Sequence, residues 1–515
     1  MKLKLLRILV LISIIVSLVS SPTISLAAPD ASQTGVAGVY PVKVVSAGNF
    51  TVALDANGEV WGWGKNHQSQ LGTGDSTDRP YPVKVAISGS PKITDIAAGS
   101  EYTLALDSQG RVWMWGRLDS NAAVISSPTL VDGLSGIQQI AAGPTLAMAL
   151  TLDGEVMTWG SSYFGELGQG SQASANANPS PVVIDEDNTV LTGVKQIAKG
   201  QLTSYAVKDD GTVYQWGLID RSNFTTSAVA SVVSGMPQAT AIVSNPNAEF
   251  VYALTKDGVF AWGQNSRGQL GTGDTTASDV PVQVASLNGK SVKSLSVGSS
   301  HALALMNDGS VWGIGGNWEG QLADPQMNRQ ETAFTKITTV SNVTAVYAGA
   351  SSSFFIKEDG TVVASGSNYD FSTRMYGLLG VGYSFDQTYI PLPMIPLASS
   401  YELGPKPLNN VSIQVVNNDQ LEFMFDIPAL SNFDKIYFDV YAKGNKDTPS
   451  LSESTGYYSW QGVTGVTRKL EGHLRPGTYE VKIHTGNTAD NSKSATVTYD
   501  NNTVGYTVIP GTVSL

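Results

Sequence analysis

The chain has 515 residues, with 31 Lys and Arg against 43 Asp and Glu, a net charge of −12, 53 glycines and no cysteine. That length exceeds one ordinary hydrophobic core, so several domains or a repeat architecture is expected. The acidic balance argues against nucleic acid and anionic surfaces as partners, and the lack of cysteine excludes disulfides, thiolate metal sites and a cysteine nucleophile.

In chain order, the first segment reads as a targeting signal. Lys2, Lys4 and Arg7 precede an apolar run over residues 8–19, and Ser25-Leu26-Ala27 has the spacing a signal peptidase reads. The pattern predicts an export signal over residues 1–27, cleaved after Ala27, and its apolar run is shorter than a spanning helix. The mature chain is therefore expected outside the cell, secreted or held at the surface, with no membrane span.

A cassette then recurs. An Asn-Gly, Gln-Gly or Asp-Gly pair stands at Asn57-Gly58, Gln109-Gly110, Asp153-Gly154, Asp210-Gly211, Asp257-Gly258, Asp308-Gly309 and Asp359-Gly360, at intervals of 44 to 57 residues. Such pairs favour tight hairpins, and two-residue turns with positive φ at both central residues are expected. Before each pair runs a small-apolar strand such as Tyr102-Thr103-Leu104-Ala105-Leu106. After it runs a strand with bulky residues at alternate positions, such as Trp61 and Trp63 or Trp113 and Trp115. Pro-Val steps at Pro82, Pro181 and Pro281 mark a further strand per unit. About four short strands per fifty residues, seven times over, is the pattern of propeller blades around an axis.

Within the cassettes, residues such as AWGQNSRGQLGTGD at 261–274 and the close copy at 63–75 resemble the repeat of the regulator of chromosome condensation family. The resemblance spans residues 38–398 and implies a seven-bladed β-propeller. There are departures from it. The family's histidine survives only as His301, and the tryptophan before the closing glycine becomes Ile314 and Ser365 in the last two blades. Strand-like segments at Tyr40-Pro41-Val42-Lys43-Val44 and Ile390-Pro391-Leu392-Pro393-Met394 are expected to close the ring by pairing across the two chain ends.

Beyond a linker at 399–410, residues 411–515 alternate as strands do. Leu474-Arg475-Pro476-Gly477-Thr478-Tyr479 is similar to the tyrosine-corner region of fibronectin type III modules, which implies a β-sandwich of immunoglobulin or fibronectin type III kind. The fold class is thus all-β, a seven-bladed β-propeller followed by a β-sandwich.

The chemistry sought along the chain is mostly missing. Gly289-Lys290-Ser291 ends like a phosphate loop, but Val284 stands where the first glycine is required. Gly72-Thr73-Gly74 has no following helix to supply amides for phosphate. Asp185-Glu186-Asp187-Asn188 opens like a calcium loop, yet Val190 and Gln196 replace the glycine and glutamate that such a loop needs. The histidines His67, His301, His473 and His484 are scattered without metal-ligand spacing. No catalytic residue, cofactor site or metal site is expected.

Eight of the ten tryptophans lie in the strand after the hairpin, where blade packing outweighs sugar stacking. The loops after the Trp-Gly step carry the family's extended form in blades one, three, five, six and seven and a different form in blades two and four. Equivalent loops emerge on one face, and this rim is aromatic: Tyr163 and Phe164 in blade three, Trp318 in blade six, and Tyr369, Phe371 and Tyr376 in blade seven. These six are the candidate partner-binding residues. The expected function is an exported, non-enzymatic binding protein whose rim engages an extracellular protein or cell-wall component. The alternatives are a secreted β-lactamase inhibitor or a guanine-nucleotide exchange factor, both suggested by the resemblance, and an enzyme acting on extracellular polymer.

Overall fold

The computed structural model describes residues 39–170, 175–370, 375–381 and 387–398, and, further along, the backbone of seven strands between 409 and 499. The segment read as an export signal lies outside the described residues.

Seven four-stranded antiparallel sheets follow one another in the propeller, at residues 41–84, 93–130, 137–181, 194–232, 239–283, 292–336 and 343–393. Each sheet is an up-and-down meander, so every blade is built from consecutive chain, and the four-strand count per cassette is as the sequence predicts. Blade 1 shows the order: Pro41–Ser46 innermost, then Phe50–Asp55, Val60–Gly64 and Arg79–Lys84 at the outer edge. The two middle strands are buried along their whole length, because blade faces stack on both sides.

The hairpins form at all seven predicted places, six of them with another turn. In blade 5 Thr255 pairs with Gly258 across a two-residue loop, Lys256-Asp257, one residue before the expected pair and without positive φ at either. The amide of Gly58 donates to the carbonyl of Asp55 at 3.1 Å, and Gly58 has φ +82 while Asn57 is not left-handed. This is a type I turn followed by a left-handed glycine, the three-residue hairpin, in place of the two-residue form. In blade 1 the Asp55 carboxylate supports the loop, accepting from the amides of Asn57 and Glu59, each at 2.9 Å. The same glycine-to-carbonyl bond recurs at Gly110, Gly154, Gly211, Gly309 and Gly360.

The core is divided among the blade boundaries. Seven clusters of buried apolar side chains each join two consecutive blades, and one unites Val44, Trp61 and Trp63 of blade 1 with Phe354, Leu379 and Met394 of blade 7. Burying one indole removes roughly 150–250 Å² from water, an upper-bound gain of several kcal/mol. The ring closes by this packing, by a single bridge between Val39 and Leu397, and by Tyr347 Oη donating to the carbonyl of Val42 at 2.9 Å. The expected exchange of strands between the two ends does not occur. Pro41–Ser46 is the inner strand of blade 1 and Gln387–Pro393 the outer strand of blade 7, so each end completes its own blade.

Near the axis, side chains bond the inner strands together. Gln139 in blade 3 takes both the amide and the carbonyl of Ile197 in blade 4, each at 2.9 Å, and Gln196 does the same to Ile242 in blade 5. Lys43 in blade 1 pairs with Asp95 in blade 2.

After residue 408 the described strands form two antiparallel sheets. The first has the order Asn409–Val416, Gln420–Ile427, Val463–Lys469; the second has Leu451–Gly456, Lys435–Ala442, Gly477–Thr485, Lys493–Tyr499. Tyr479 lies in the strand Gly477–Thr485, with its side chain outside what is described.

Candidate functional site

The extended loops begin at the closing Trp-Gly of a blade and are organised by one buried asparagine. Asn66 Oδ1 accepts from the amide of Leu71 at 2.9 Å, and its Nδ2 donates to the carbonyl of Asp75 at 3.0 Å. Asn265, Asn317 and Asn368 hold Leu270, Leu322 and Leu379 in the same way at 2.9, 2.9 and 3.0 Å. Blade 3 lacks the asparagine. There Glu166 takes its place, its carboxylate accepting from Ser162 Oγ at 2.8 Å and from the amides of Tyr163 and Phe164 at 3.0 and 2.7 Å.

The loops of blades 1, 3, 6 and 7 then bond to the next blade. In blade 5 the equivalent carbonyl of Gln269 accepts instead from Tyr252 Oη of its own blade, and blade 6 carries Ala302 and Ile314 at the clamped positions. The carbonyl of Gln70 in blade 1 accepts from Trp115 Nε1 and Thr103 Oγ1 of blade 2, both at 2.9 Å. Glu166 in blade 3 serves Trp216 and Ser204 of blade 4 at 2.8 and 3.0 Å, and Leu378 in blade 7 serves Trp63 and Thr51 of blade 1 at 2.9 and 3.0 Å. Gly72 must be glycine here, since a Cβ would sit 2.8 Å from the Trp115 ring. The glycine-rich half of the loop thus packs against the next blade beside the clamping carbonyl.

Blades 2 and 4, which lack this loop form, leave their successors without a clamp. Trp159 of blade 3 buries its Nε1 with no partner, and Trp262 of blade 5 finds only Gln215 Oε1 at 3.4 Å. Ala147 and Val251 stand where the clamped blades carry a hydroxyl. In blade 7, where Ser365 replaces the tryptophan, Ser353 Oγ donates to the carbonyl of Gln321 at 2.7 Å. His301 Nε2 lies 3.0 Å from the same hydroxyl, whose one proton is already used, so Nε2 carries a hydrogen and donates it. Burial pushes the His301 pKa down to about 3, and the ring acts as packing between blades.

Sequence reasoning missed Lys199. It is buried at the boundary of blades 3 and 4 beside Gly143, and its Nζ donates to the carbonyl of Gly200 at 2.9 Å and, more weakly, to those of Gln201 and Thr203 at 3.4 Å. Burial lowers its pKa to about 8, against the opposing pull of the Glu166 carboxylate. The signal available was its place at the end of an inner strand, where the other blades carry Ser46, Ala98, Ala142, Ser244, Val297 and Ala348.

The rim candidates divide by exposure. Tyr163 is 73 % and Trp318 45 % exposed, whereas Phe164 and Tyr369 are half-buried. Tyr369 pairs with Tyr376 between two strands of two residues each; the side chain of Tyr376 and the whole of Phe371 lie outside the described residues. Among the described candidates, Tyr163 and Phe164 belong to the loop of blade 3, and Trp318 stands where blades 5, 6 and 7 meet. Its carbonyl accepts from Gln387 Nε2 at 3.1 Å and Tyr389 Oη at 2.5 Å, both on blade 7. Arg267 of blade 5 and Arg329 of blade 6 place their guanidinium carbons 5.6 and 4.9 Å from the Trp318 ring centroid. These two arginines, absent from the sequence-based candidates, make the exposed indole the centre of a cationic cluster. Among the described residues no group of three or more His, Cys, Asp and Glu could hold a metal ion, and no helix is long and apolar enough to cross a membrane.

With this geometry, the molecule is a seven-bladed β-propeller carrying regulator of chromosome condensation (RCC1) repeats. Two family profiles of that description match, one at residues 57–106, 153–207 and 256–305 and the other at 42–70, 93–121 and 292–321. The chain is 27 % identical to the ultraviolet-B receptor UVR8 of Arabidopsis thaliana over 67 % of its own length and 68 % of that protein. It is 30 % identical to the human E3 ubiquitin-protein ligase HERC2 over 52 % of its length, which spans 6 % of HERC2. Among solved structures it resembles yeast RCC1 (Prp20) bound to Kap60, at 22 % identity and a TM-score of 0.55 over 69 % of this chain and 85 % of that one. It also resembles human WBSCR16, at 19 % identity and a TM-score of 0.54, covering 65 % and 93 %.

Proposed function

We propose that the protein is an exported, non-enzymatic binding protein whose loop rim engages a protein partner outside the cell. The observation that carries this reading is the contrast within the rim loops: their backbones are clamped into the ring while Tyr163 and Trp318 stand exposed on them. An aromatic side chain on an already ordered loop binds without the cost of ordering that loop. The use of this fold for protein binding is illustrated by the yeast propeller bound to Kap60. Export rests on the basic, apolar and small-residue pattern of residues 1–27. The strand order of the tail agrees with a fibronectin type III-like sandwich over residues 411–515, acting as spacer or attachment module beyond a linker at 399–410.

Two measurements test the proposal. N-terminal sequencing of protein recovered from culture supernatant should begin at Ala28; an intact, cell-retained chain contradicts export. Capture of extracellular proteins on the purified mature chain, read by mass spectrometry, should yield a partner lost with Tyr163→Ser and Trp318→Ser. A partner that both variants retain contradicts the rim assignment.

A further inference from the structure

Blade 6 departs from blades 1 and 2 at a cluster on the opposite face, the one that carries the hairpin turns. In blade 1, Trp61 Nε1 donates to Asp55 Oδ2 at 3.1 Å and Lys84 pairs with Glu59 at 2.6 Å. In blade 2, Trp113 Nε1 donates to Asp107 Oδ2 at 3.0 Å, and Arg111 pairs with the same carboxylate at 2.8 Å. Blade 6 keeps the tryptophan as Trp312 and the lysine as Lys336, but Met306 stands at the place of Asp55 and Ser310 at that of Glu59. Both carboxylates have gone and the groups they served remain.

Around the vacated positions lies a cleft of about 580 Å³ lined by Trp312, Lys290, Lys336, Asn307, Ser291 and Ser310, with Met306 and Asp308 beside them. Lys290 Nζ sits 4.2 Å from the Trp312 ring centroid. Among the described residues neither lysine has a carboxylate within salt-bridge distance, and the Trp312 indole N–H has no acceptor. Asp308 is already engaged, accepting from the amide and hydroxyl of Ser310 at 2.9 and 2.7 Å. The cleft therefore presents two ammonium groups without a salt-bridge partner, a free indole donor and short polar side chains. Of the two, Lys336 is near enough to the Asp308 carboxylate to add to the Ser310 hydrogen bonds in lowering its pKa.

We propose that this cleft binds a small acidic saccharide, its carboxylate set between Lys290 and Lys336 and its hydroxyls against Asn307, Ser291 and the indole N–H. A carboxylate would replace the charge that blades 1 and 2 supply internally. The hydroxyl-bearing lining and the aromatic ring suit a sugar better than an inorganic anion. The site is separate from the rim and does not depend on the rim's having a partner.

The test uses the full mature chain and isothermal titration calorimetry with a digalacturonate probe, against a neutral disaccharide of the same size. Saturable binding of the uronate alone, weakened by salt, is expected. Met306→Asp combined with Ser310→Glu restores the arrangement of blade 1, which this fold already accommodates, and should abolish binding while leaving the thermal midpoint in place. Lys290→Gln combined with Lys336→Gln should weaken it at least tenfold. Equal binding of the neutral sugar, no binding of the uronate by the wild-type chain, or binding that survives the carboxylate-restoring variant overturns the proposal.

Discussion

The indole Nε1 of Trp115 donates to the main-chain carbonyl of Gln70 at 2.9 Å, across the boundary between blades 2 and 1. One blade's loop thereby fixes the next blade's largest side chain. The unpartnered Nε1 of Trp159, at the equivalent place behind a blade without that loop, is an internal control.

This difference predicts unequal costs for one substitution. Trp115→Phe removes a made hydrogen bond, whereas Trp159→Phe removes a buried donor that has no acceptor. Both lose similar packing, so Trp115→Phe should destabilise by about 1–2 kcal/mol more in urea unfolding. Thr103→Val shares the Gln70 acceptor and should couple with Trp115→Phe in a double-mutant cycle.

His301 contributes a pH dependence at the acid end. Its folded pKa of about 3 lies below the ordinary histidine value, so the unfolded chain takes up a proton that the folded chain refuses. Its contribution is therefore complete above about pH 6.5 and is lost as pH falls toward 3. His301→Phe, which installs the residue found at Phe50 and Phe250, should flatten this limb in thermal midpoints taken from pH 7 to pH 4.

Lys199 acts at the other end. Its folded pKa of about 8 lies below the ordinary lysine value, so the unfolded chain binds the proton more tightly. The penalty for burying the charge is constant below pH 8 and relieved between about pH 8 and 10.4. Lys199→Met removes that charge while keeping the bulk. Relative to wild type it should gain stability at pH 7, an advantage that narrows by pH 10; an unchanged difference across that range contradicts the assignment.

The ring was legible in the sequence because its determinants are local. The Asp-Gly and Asn-Gly pairs, the alternation around Trp63 and Trp115, and the Pro-Val steps each act within one blade. The turn geometry at Gly58 was not, because an Asn-Gly or Asp-Gly pair serves two-residue and three-residue hairpin loops alike. The clamp was hidden because Gln70 and Trp115 are 45 residues apart. Yet it left a trace in the repeats: the unclamped blades 3, 5 and 6 carry Ala147, Val251 and Ala302 where clamped blades carry Thr51, Thr103 and Ser204. Tyr163 and Trp318 were readable as exposed loop residues, but not that Arg267 and Arg329 converge on Trp318 from different blades. The charge vacancy around Trp312 emerges only when blade 6 is laid over blade 1.

The most direct test of the binding account is the affinity of a captured extracellular partner for the purified mature chain, measured by surface plasmon resonance. Trp318→Ser and Tyr163→Ser should each weaken it at least tenfold, while Leu152→Ser, 71 % exposed on the face of the hairpin turns, should leave it unchanged. An affinity indifferent to both rim substitutions, or lost with Leu152→Ser, contradicts the account.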